Sequence, residues 1–282
     1  MQLINFAETK IPPIGIGTWH MGSNPSLYAQ QKATLQYGIS HGATVIDTAE
    51  QYGNGDSESL VGDAIQNFPR QELFLISKFL PSHATRHSMK AALHRSLHRL
   101  GTSYLDLYLY HWPGITPLAE VVDNLETLRQ NGLIRHWGVS NFDLPEMKHL
   151  LQVPGGQNVA ANEDLYNLGS RGLDYDLLPW QRQHRIPLIA YAPIDQGDTR
   201  QHGITENQAL SQVATEHHAT AFQIMLAWSI RDGHTLAIPQ TDQQSHMRDN
   251  IAAAKVHLTP ADLKQLDQSF PKPTSEQPLD II

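Results

Sequence analysis

Short apolar runs alternate with stretches of helical spacing along almost the whole chain. Apolar runs of about four to eight residues are typical of strands that are buried on both faces, and apolar residues repeating every three or four positions are typical of amphipathic helices. The predicted strands are 14–19, 44–47, 73–77, 104–110, 134–139, 157–162, 187–191 and 235–238.

The predicted helices lie between and after these strands, and several carry boundary signals. Pro117 is a first-turn proline, and Gly42 and Gly101 stand where helical spacing ends. Residues 2–14 predict a hairpin with its turn at 8–10, and the proline-rich segment 271–282 predicts a loop. The predicted helices are 26–42, one starting at 57, 86–100, 117–132, one starting near 143, 173–184, 205–217, 221–232, 243–254 and 259–269.

Eight strand–helix units with no long linker predict a parallel sheet whose outer side is covered by helices. Eight is also the number of units in a closed (β/α)8 TIM barrel. We therefore expect an α/β protein with one barrel domain over residues 1–282, preceded by a β-hairpin and followed by a C-terminal loop. A doubly wound open sheet is the alternative, but the first strand lacks the third glycine of a dinucleotide-binding fingerprint and leads into no immediate helix.

Composition agrees with a folded enzyme-sized globule. The chain has 282 residues, 40% hydrophobic and 17% charged, and TIM barrels are often near ~250 residues. A net charge of −8 provides no basic surface for nucleic acid, and the absence of cysteine excludes disulfides and zinc–thiolate sites. The N-terminus lacks a signal-peptide pattern, and the longest apolar helix candidate is too short to span a membrane. We expect a cytoplasmic monomer without nucleic-acid or membrane partners.

Titratable residues stand where predicted strands end. Asp47 and Tyr52 follow the second strand, Lys78 follows the third and His111 follows the fourth. In TIM barrels the carboxyl ends of the strands form the face that carries the active site. Each residue alone has an ordinary structural explanation, such as a helix cap or packing at the rim. Further polar residues fall at the same predicted face, namely Ser140, Asn141, Asn162, Glu163, Tyr191 and Gln240, and together they predict an active site there.

The histidines raise the possibility of a metal site. There are 16 of them, and His94 and His98 are spaced by four residues, with His87 near the same helix face and His217 next to His218. No HExxH motif and no cysteine accompany them. We interpret these histidines as part of solvated helix faces and expect no metal.

Seven stretches, in order along the chain, resemble the aldo-keto reductase family, and in particular its bacterial methylglyoxal-reductase-type members. They include VIDTAEQYGNG and IRHWGVSNF. The matching ranges are 15–22, 45–55, 73–79, 104–113, 134–142, 165–180 and 237–253.

This resemblance implies NAD(P)H-dependent reduction of aldehydes and ketones, with Asp47, Tyr52, Lys78 and His111 as the catalytic residues. Tyr52 would donate the proton, and because a free tyrosine has a pKa of about 10, a nearby Lys78 ammonium is expected to lower it. Asp47 would keep Lys78 charged and in place. His111 would hydrogen-bond the substrate oxygen.

The resemblance also implies a substrate pocket and a cofactor site. Trp19 and Trp112 would join Tyr52 and His111 in binding a small carbonyl substrate. NADP(H) is the favoured cofactor, with NAD(H) possible. The implied cofactor-binding residues are Gly17, Thr18, Asp47, Ser140, Asn141, Glu163, Tyr191, Ala192, Pro193, Ile194, Gln196, Gly197, Ile238, Gln240, Thr241, His246, Asp249 and Asn250.

The chain departs from the family pattern at four of these positions. Glu163 stands where the family has Gln, and Ala192 replaces a frequent Ser. Gln240 and His246 stand where the family often has Lys and Arg. Losing two cations weakens the case for strong selectivity toward a cofactor 2′-phosphate.

Two other functions remain compatible with a barrel of this kind. One is a regulatory or cofactor-binding module with little turnover, as in the family's ion-channel β subunits. The other is an unrelated barrel lyase or isomerase. The four intact catalytic positions favour the reductase.

Overall fold

The N-terminal segment forms a small antiparallel hairpin. The computed structural model describes residues 3–6, 9–195 and 203–282. Strand β1 (Ile4–Phe6) pairs with β2 (Thr9–Ile11). The predicted hairpin is thus present, but the predicted turn at 8–10 is wrong in part, because Thr9 and Lys10 are paired strand residues.

Eight parallel strands form the centre of the described structure, and each pairs with its neighbour in chain order. The first and last strands also meet, through bridges from Ile14 to Ala237 and from Gly17 to Gln240. The ring therefore closes, which confirms the (β/α)8 barrel. The strands are β3 (Ile16–Gly17), β4 (Val45–Asp47), β5 (Phe74–Phe79), β6 (Leu105–Tyr110), β7 (Ile134–Ser140), β8 (Asn162–Leu165), β9 (Leu188–Tyr191) and β10 (Thr235–Ala237).

Helices connect the strands, and their ends agree with the sequence signals to within a few residues at most positions. Asp143 accepts a hydrogen bond from the Glu146 backbone N–H at 2.8 Å and caps its helix, as expected for a capping box. The helices are α1 (Tyr28–Ser40), α2 (Asp56–Ile65), α3 (Arg86–Leu100), α4 (Leu118–Gln130), α5 (Leu144–Gln152), α6 (Leu177–His184), α7 (Gln208–Glu216), α8 (Ala221–Ser229), α9 (Gln244–Ala253) and α10 (Pro260–Ser269).

Buried apolar side chains form two layers, one inside the barrel and one between strands and helices. The inner layer includes Ile76, Leu107 and Ile189 from the strands. Phe6 of the hairpin joins it and packs edge-on against Phe74, with ring centroids 5.5 Å apart. Because Phe74 begins β5, the hairpin covers the amino-terminal end of the barrel and leaves the opposite end for the site.

The sixth predicted strand is wrong. Residues 157–162 do not form it: Gly156–Asn158 is a 3-10 turn, and β8 starts only at Asn162. Strand β8 consists of Asn, Glu, Asp and Leu and is nonetheless fully buried, which a search for apolar runs cannot find. Similarly, β5 extends to Phe79, so Lys78 lies within the strand and not after it.

The C-terminal segment 271–282 contains neither helix nor strand, as predicted. Its Asp280 carboxylate accepts a hydrogen bond from the Ser170 hydroxyl, and Arg171 donates to Asp267 at 2.8 Å just before the segment. These contacts hold the segment beside the loop that follows β8. Within the described ranges, no helix has the length and apolar character needed to cross a membrane.

Candidate active site

Lys78 lies at the centre of a buried polar cluster at the carboxyl end of the barrel. Its ammonium donates to Asp47 Oδ1 at 2.5 Å, and Tyr52 Oη and the Thr48 carbonyl oxygen each lie 3.3 Å away. Strands β4 and β5 are neighbours, with Asp47 paired to Ile76, which brings the two side chains together. The structure therefore joins three of the four predicted catalytic residues.

A tight turn holds Tyr52 against the lysine. Residues Tyr52–Gly55 form a 3-10 turn in which Gly53 (φ 56°) and Asn54 (φ 53°) have left-handed backbone conformations. A Cβ atom on Gly53 would lie 2.1 Å from the Ser23 hydroxyl oxygen. Glycine is therefore needed at position 53 for both backbone conformation and space, and the sequence Tyr-Gly-Asn-Gly fixes the path of the loop.

The expected lowering of the Tyr52 pKa is wrong for the site as it stands. Burial of the hydroxyl raises the pKa, and although the Lys78 charge lowers it as predicted, the negative charge of Asp47 raises it further, as does Glu163 when it is ionised. The net direction is upward. Tyr52 is therefore a protonated phenol at neutral pH, which is the form that can donate a proton.

His111 completes the set of four as a neutral imidazole. It directly follows β6 and is 8% exposed, and its ring meets the Tyr52 ring edge-on at 5.9 Å. Burial and the Lys78 charge lower its pKa to about 3. Its Nδ1 is buried and has no hydrogen-bond partner among the described residues.

Glu163 contacts the same lysine from the opposite side of the barrel. Its Oε1 lies 3.2 Å from Lys78 Nζ, and the side chain is 2% exposed. Burial raises the pKa of Glu163 well above its usual value, and the negative charge of Asp47 raises it further. Burial by itself would lower the pKa of Lys78, but the two neighbouring carboxyl groups have the larger effect and raise it. The sequence placed Glu163 near the cofactor without predicting this contact.

Ser140, Asn141 and Tyr191 form a hydrogen-bonded group beside this cluster. Asn141 has a φ of 58°; its Nδ2 donates to the His111 carbonyl oxygen at 3.1 Å, and its Oδ1 accepts from Tyr191 Oη at 2.9 Å. The Ser140 hydroxyl donates to the Glu163 carbonyl oxygen at 2.9 Å. Residues from β7, β8 and β9 are thereby fixed relative to one another.

Buried acceptor atoms without N–H or hydroxyl partners show where a carboxamide could bind. Within the part of the chain that the structure describes, Asp47 Oδ2 and Glu163 Oε2 are buried and accept no hydrogen bond from an N–H or hydroxyl group, although the two carboxyl groups interact with each other. Buried acceptors normally find donors, and an amide NH₂ supplies two. These two atoms, together with the Asn141 group, fit the carboxamide end of a nicotinamide cofactor.

The loops after β9 and β10 would carry the rest of a dinucleotide. Ala192 has a φ of 45°, Pro193 is buried and Ile194 is partly buried. Predicted contacts at Gln196 and Gly197 lie outside the described residues. Beside β3, Gly17 and Thr18 are buried, and a Cβ atom on Gly17 would lie 2.6 Å from the Ile238 carbonyl oxygen. Glycine at position 17 is therefore also required by the close approach of the strands.

The segment from β10 into α9 combines buried and exposed members of the predicted cofactor set. Ile238, Thr241 and Asn250 are buried. Gln240 and His246 are exposed. Asp249 accepts from Arg248 Nε at 3.2 Å, and the Arg248 side chain is 65% exposed.

Of the two tryptophans predicted as pocket walls, Trp112 contacts the cluster directly. Trp112 contacts His111, with ring centroids 4.7 Å apart. Trp19 is 39% exposed, and its ring lies tilted against that of His20, with centroids 4.1 Å apart. Elsewhere, no group of three or more His, Asp or Glu side chains within the described ranges could hold a metal ion.

Comparison with known proteins gives the same family along nearly the whole chain. The model of the aldo/keto reductase family matches residues 13–270. The chain is 41% identical to methylglyoxal reductase YeaE of Escherichia coli K12, covering 100% of this chain and 99% of that protein. It is 28% identical to methylglyoxal reductase DkgB of Escherichia coli O157:H7, covering 91% and 92%.

Solved structures extend the agreement to three dimensions. An aldo/keto reductase from Klebsiella pneumoniae, in complex with NADP and acetate, superimposes with a TM-score of 0.97 at 41% identity, covering 100% of this chain and 99% of that one. The thermostable aldo-keto reductase Tm1743, in complex with the inhibitor epalrestat, gives 0.86 at 35% identity, covering 94% and 97%. The chain belongs to the aldo/keto reductase family.

Proposed function

We propose that this protein reduces small aldehydes and ketones to alcohols with NADPH. The observation that carries the proposal is the buried contact of Lys78 with Asp47 and Tyr52, beside the neutral His111. When bound, the nicotinamide cofactor supplies the hydride. The protein must then orient the carbonyl, stabilise negative charge on its oxygen and deliver a proton.

Each of the four side chains has one role in this scheme. Tyr52 donates the proton, and its raised pKa keeps it protonated at neutral pH. Lys78, held by Asp47 at 2.5 Å, places a positive charge beside the phenol and stabilises the phenolate that remains after proton transfer. His111, being neutral, donates a hydrogen bond to the carbonyl oxygen without adding a competing acid.

The cofactor site is proposed to contact the residues that the sequence indicated. Ser140, Asn141 and Glu163 would bind the carboxamide, and Tyr191 would stack on the nicotinamide ring. The segment 238–250 would bind the phosphate and adenine end. NADP or NADPH accompanies the Klebsiella pneumoniae relatives in their structures, which supports NADP(H) here, with NAD(H) as a second cofactor.

Methylglyoxal is the first substrate to test, because two relatives are methylglyoxal reductases. Trp19 and Trp112 would form the walls of a pocket suited to a small carbonyl compound. The competing possibility of a regulatory module with little turnover has no support from the site, since its four proposed catalytic positions are intact.

NADPH oxidation with a panel of small aldehydes, repeated with NADH, tests this function. We expect turnover with methylglyoxal or a comparable small carbonyl, and none when Tyr52 is replaced by Phe. Absence of turnover across the panel in a protein that binds NADPH would favour the regulatory module. Four expectations stay predictions: the single domain over 1–282, the monomeric state, the cytoplasmic location and the lack of a metal. Light scattering would test the monomeric state, and elemental analysis would test the lack of a metal.

A further inference from the structure

Two carboxyl groups share one ammonium inside the barrel. Lys78 is 0% exposed and contacts Asp47 Oδ1 at 2.5 Å and Glu163 Oε1 at 3.2 Å. Two ionised carboxylates and one ammonium would leave an unbalanced negative charge in a buried site. Such a charge is costly, and buried carboxyl pairs avoid it by retaining a proton.

The distances indicate which carboxyl group carries that proton. Burial raises the pKa of Asp47 as well, but the charge of Lys78 and its short contact with Asp47 oppose this and favour the ionised form of Asp47. Glu163 makes the longer contact, and its buried Oε2 accepts no hydrogen bond from an N–H or hydroxyl group of the described residues. Its carboxyl group hydrogen-bonds the carboxyl group of Asp47, which requires a proton on one of the two and raises the pKa of Glu163. Burial raises the pKa of Glu163 well above its usual value, and the Asp47 charge adds to this.

We propose that Glu163 is a neutral carboxylic acid at neutral pH and that loss of its proton shifts the protein's preference from NADPH toward NADP⁺. This inference rests on the proposed function. Glu163 belongs to the predicted carboxamide-binding set, so its charge would lie beside the nicotinamide. The reduced ring is neutral and the oxidised ring is positively charged, so an ionised Glu163 attracts only the oxidised form.

Other titratable groups face the same space and must be separated from Glu163. Tyr52 reaches Lys78 from the loop after β4, His111 lies at the end of β6, and Tyr191 lies at the end of β9. His111 is held neutral by its pKa of about 3. Burial raises the pKa values of both Tyr52 and Tyr191 above the normal tyrosine value, so neither ionises in the range where Glu163 is proposed to do so.

Asp164 provides an internal control from the adjacent position of β8. It is also buried, and neither of its carboxylate oxygens has a partner within the described ranges. Burial raises its pKa well above the usual value, with the charges of Glu146 and Asp143 adding to this. Because successive strand side chains point to opposite faces, Asp164 is a buried carboxyl group that does not face Lys78.

The first measurement is made on the cofactor-free protein and does not depend on the proposed function. Infrared difference spectra between neutral and alkaline solution report the carbonyl stretch of a protonated carboxyl group. We expect wild type and Asp164→Asn to show the loss of a Glu163 band, and Glu163→Gln to lack it. An unchanged difference spectrum in Glu163→Gln would overturn the proposal.

The second measurement counts protons during cofactor binding. Isothermal titration calorimetry in buffers of different ionisation enthalpy gives the number of protons released when NADP⁺ or NADPH binds. We expect wild type, Tyr52→Phe and Asp164→Asn to release more protons with NADP⁺ than with NADPH. In Glu163→Gln the two cofactors should release equal numbers, because the amide cannot ionise.

The dissociation constants then give the size of the effect. Between about pH 6 and about pH 9, the ratio of the NADPH constant to the NADP⁺ constant should rise roughly tenfold or more in wild type, since each unit of pKa difference between two complexes is tenfold. The ratio should stay flat in Glu163→Gln.

Different results would refute the proposal about Glu163 and the proposed reductase function. Equal proton release by wild type with both cofactors overturns the proposal about Glu163, whatever the variants do. Binding of neither cofactor by the wild type would instead refute the proposed function, while the infrared measurement would still decide whether Glu163 carries a proton.

Discussion

The two ends of the proposed cofactor site differ in charge and burial. At the nicotinamide end, Asp47, Lys78 and Glu163 are buried and in direct contact. At the phosphate and adenine end, Gln240 and His246 are exposed, and the nearby cation Arg248 is paired with its neighbour Asp249. On the proposed function, chemistry would depend on a fixed, desolvated cluster, whereas cofactor selectivity would depend on exposed side chains that can be exchanged at little cost to the fold.

Replacing Lys78 should have the largest effect, because this residue of the buried end contributes to both the stability of the fold and the catalytic rate. In Lys78→Met, Asp47 and Glu163 would lose their shared partner. Removing one member of a buried ion pair costs about 3–5 kcal/mol, and loss of a positioned charge in acid catalysis costs roughly 10²–10⁴ in rate. Chemical denaturation and NADPH oxidation would measure the two effects.

The matched control for this variant is Lys90→Met, since Lys90 is an exposed lysine on α3. It should change unfolding free energy by less than about 0.5 kcal/mol and leave turnover unchanged. A Lys78→Met protein with wild-type stability would contradict the view that the cluster is a tightly coupled charge group.

Tyr52→Phe should separate the two roles of the buried end. The Tyr52 hydroxyl contacts Lys78 at the long distance of 3.3 Å, so its loss should cost little stability. Without a proton donor, kcat should fall by roughly 10²–10⁴, while NADPH binding is retained. Tyr175→Phe, at an exposed tyrosine, is the control, and comparable turnover in the two variants would refute the acid assignment.

His111, at the buried end of the site, should make the free energy of unfolding depend on pH. Burial and the Lys78 charge lower its pKa to about 3, below the value of about 6.5 in an unfolded chain. The unfolded state therefore binds more protons, so this contribution to stability is present above about pH 6.5 and is lost as the pH falls toward about 3. The upper bound on the loss is about 5 kcal/mol.

Denaturation of His111→Asn and wild type across this pH range would measure that contribution. Neutral carboxyl groups such as Glu163 and Asp164, whose pKa values are raised, act in the opposite direction, since they stabilise the fold as the pH falls. Subtracting the two curves isolates His111. A parallel pair of curves would show that folding does not lower the pKa of His111.

How far the sequence predicted the site follows from the same contrast. Asp47, Lys78 and His111 could be placed because polar residues at the ends of apolar runs are local signals. The strand carrying Glu163 was misplaced, because Asn162, Glu163 and Asp164 are polar and yet buried. Their burial depends on strands distant in the sequence, which no local pattern contains.

The Tyr52 pKa shows the same limit at the level of a single group. The neighbouring Lys78 was predictable from the motif, and its charge does lower the pKa. Burial and the charge of Asp47 reverse the net direction. Desolvation and contacts between distant strands arise only on folding, so the sequence indicated candidate residues but not the balance of their charges.

Adding positive charges at the exposed end should have the smallest effect of these changes on protein stability, and it should alter cofactor choice specifically. In the double variant Gln240→Lys and His246→Arg, two cations would face the 2′-phosphate that distinguishes NADPH from NADH. Charge-assisted hydrogen bonds are worth about 1.5–3 kcal/mol each. We expect NADPH affinity to rise about tenfold or more, with NADH affinity and stability unchanged because both positions are exposed.

Replacing His246 tests which residue now contacts the 2′-phosphate. An imidazole N–H can donate a hydrogen bond to a phosphate oxygen, so we expect His246→Ala to lower wild-type NADPH affinity a few-fold. NADH affinity is the control, because NADH lacks the phosphate. A strong NADPH preference that survives His246→Ala would assign the contact to another residue, and Arg248→Ala would then be the variant to lose it, since Arg248 already extends into solvent beside Asp249 on the same helix.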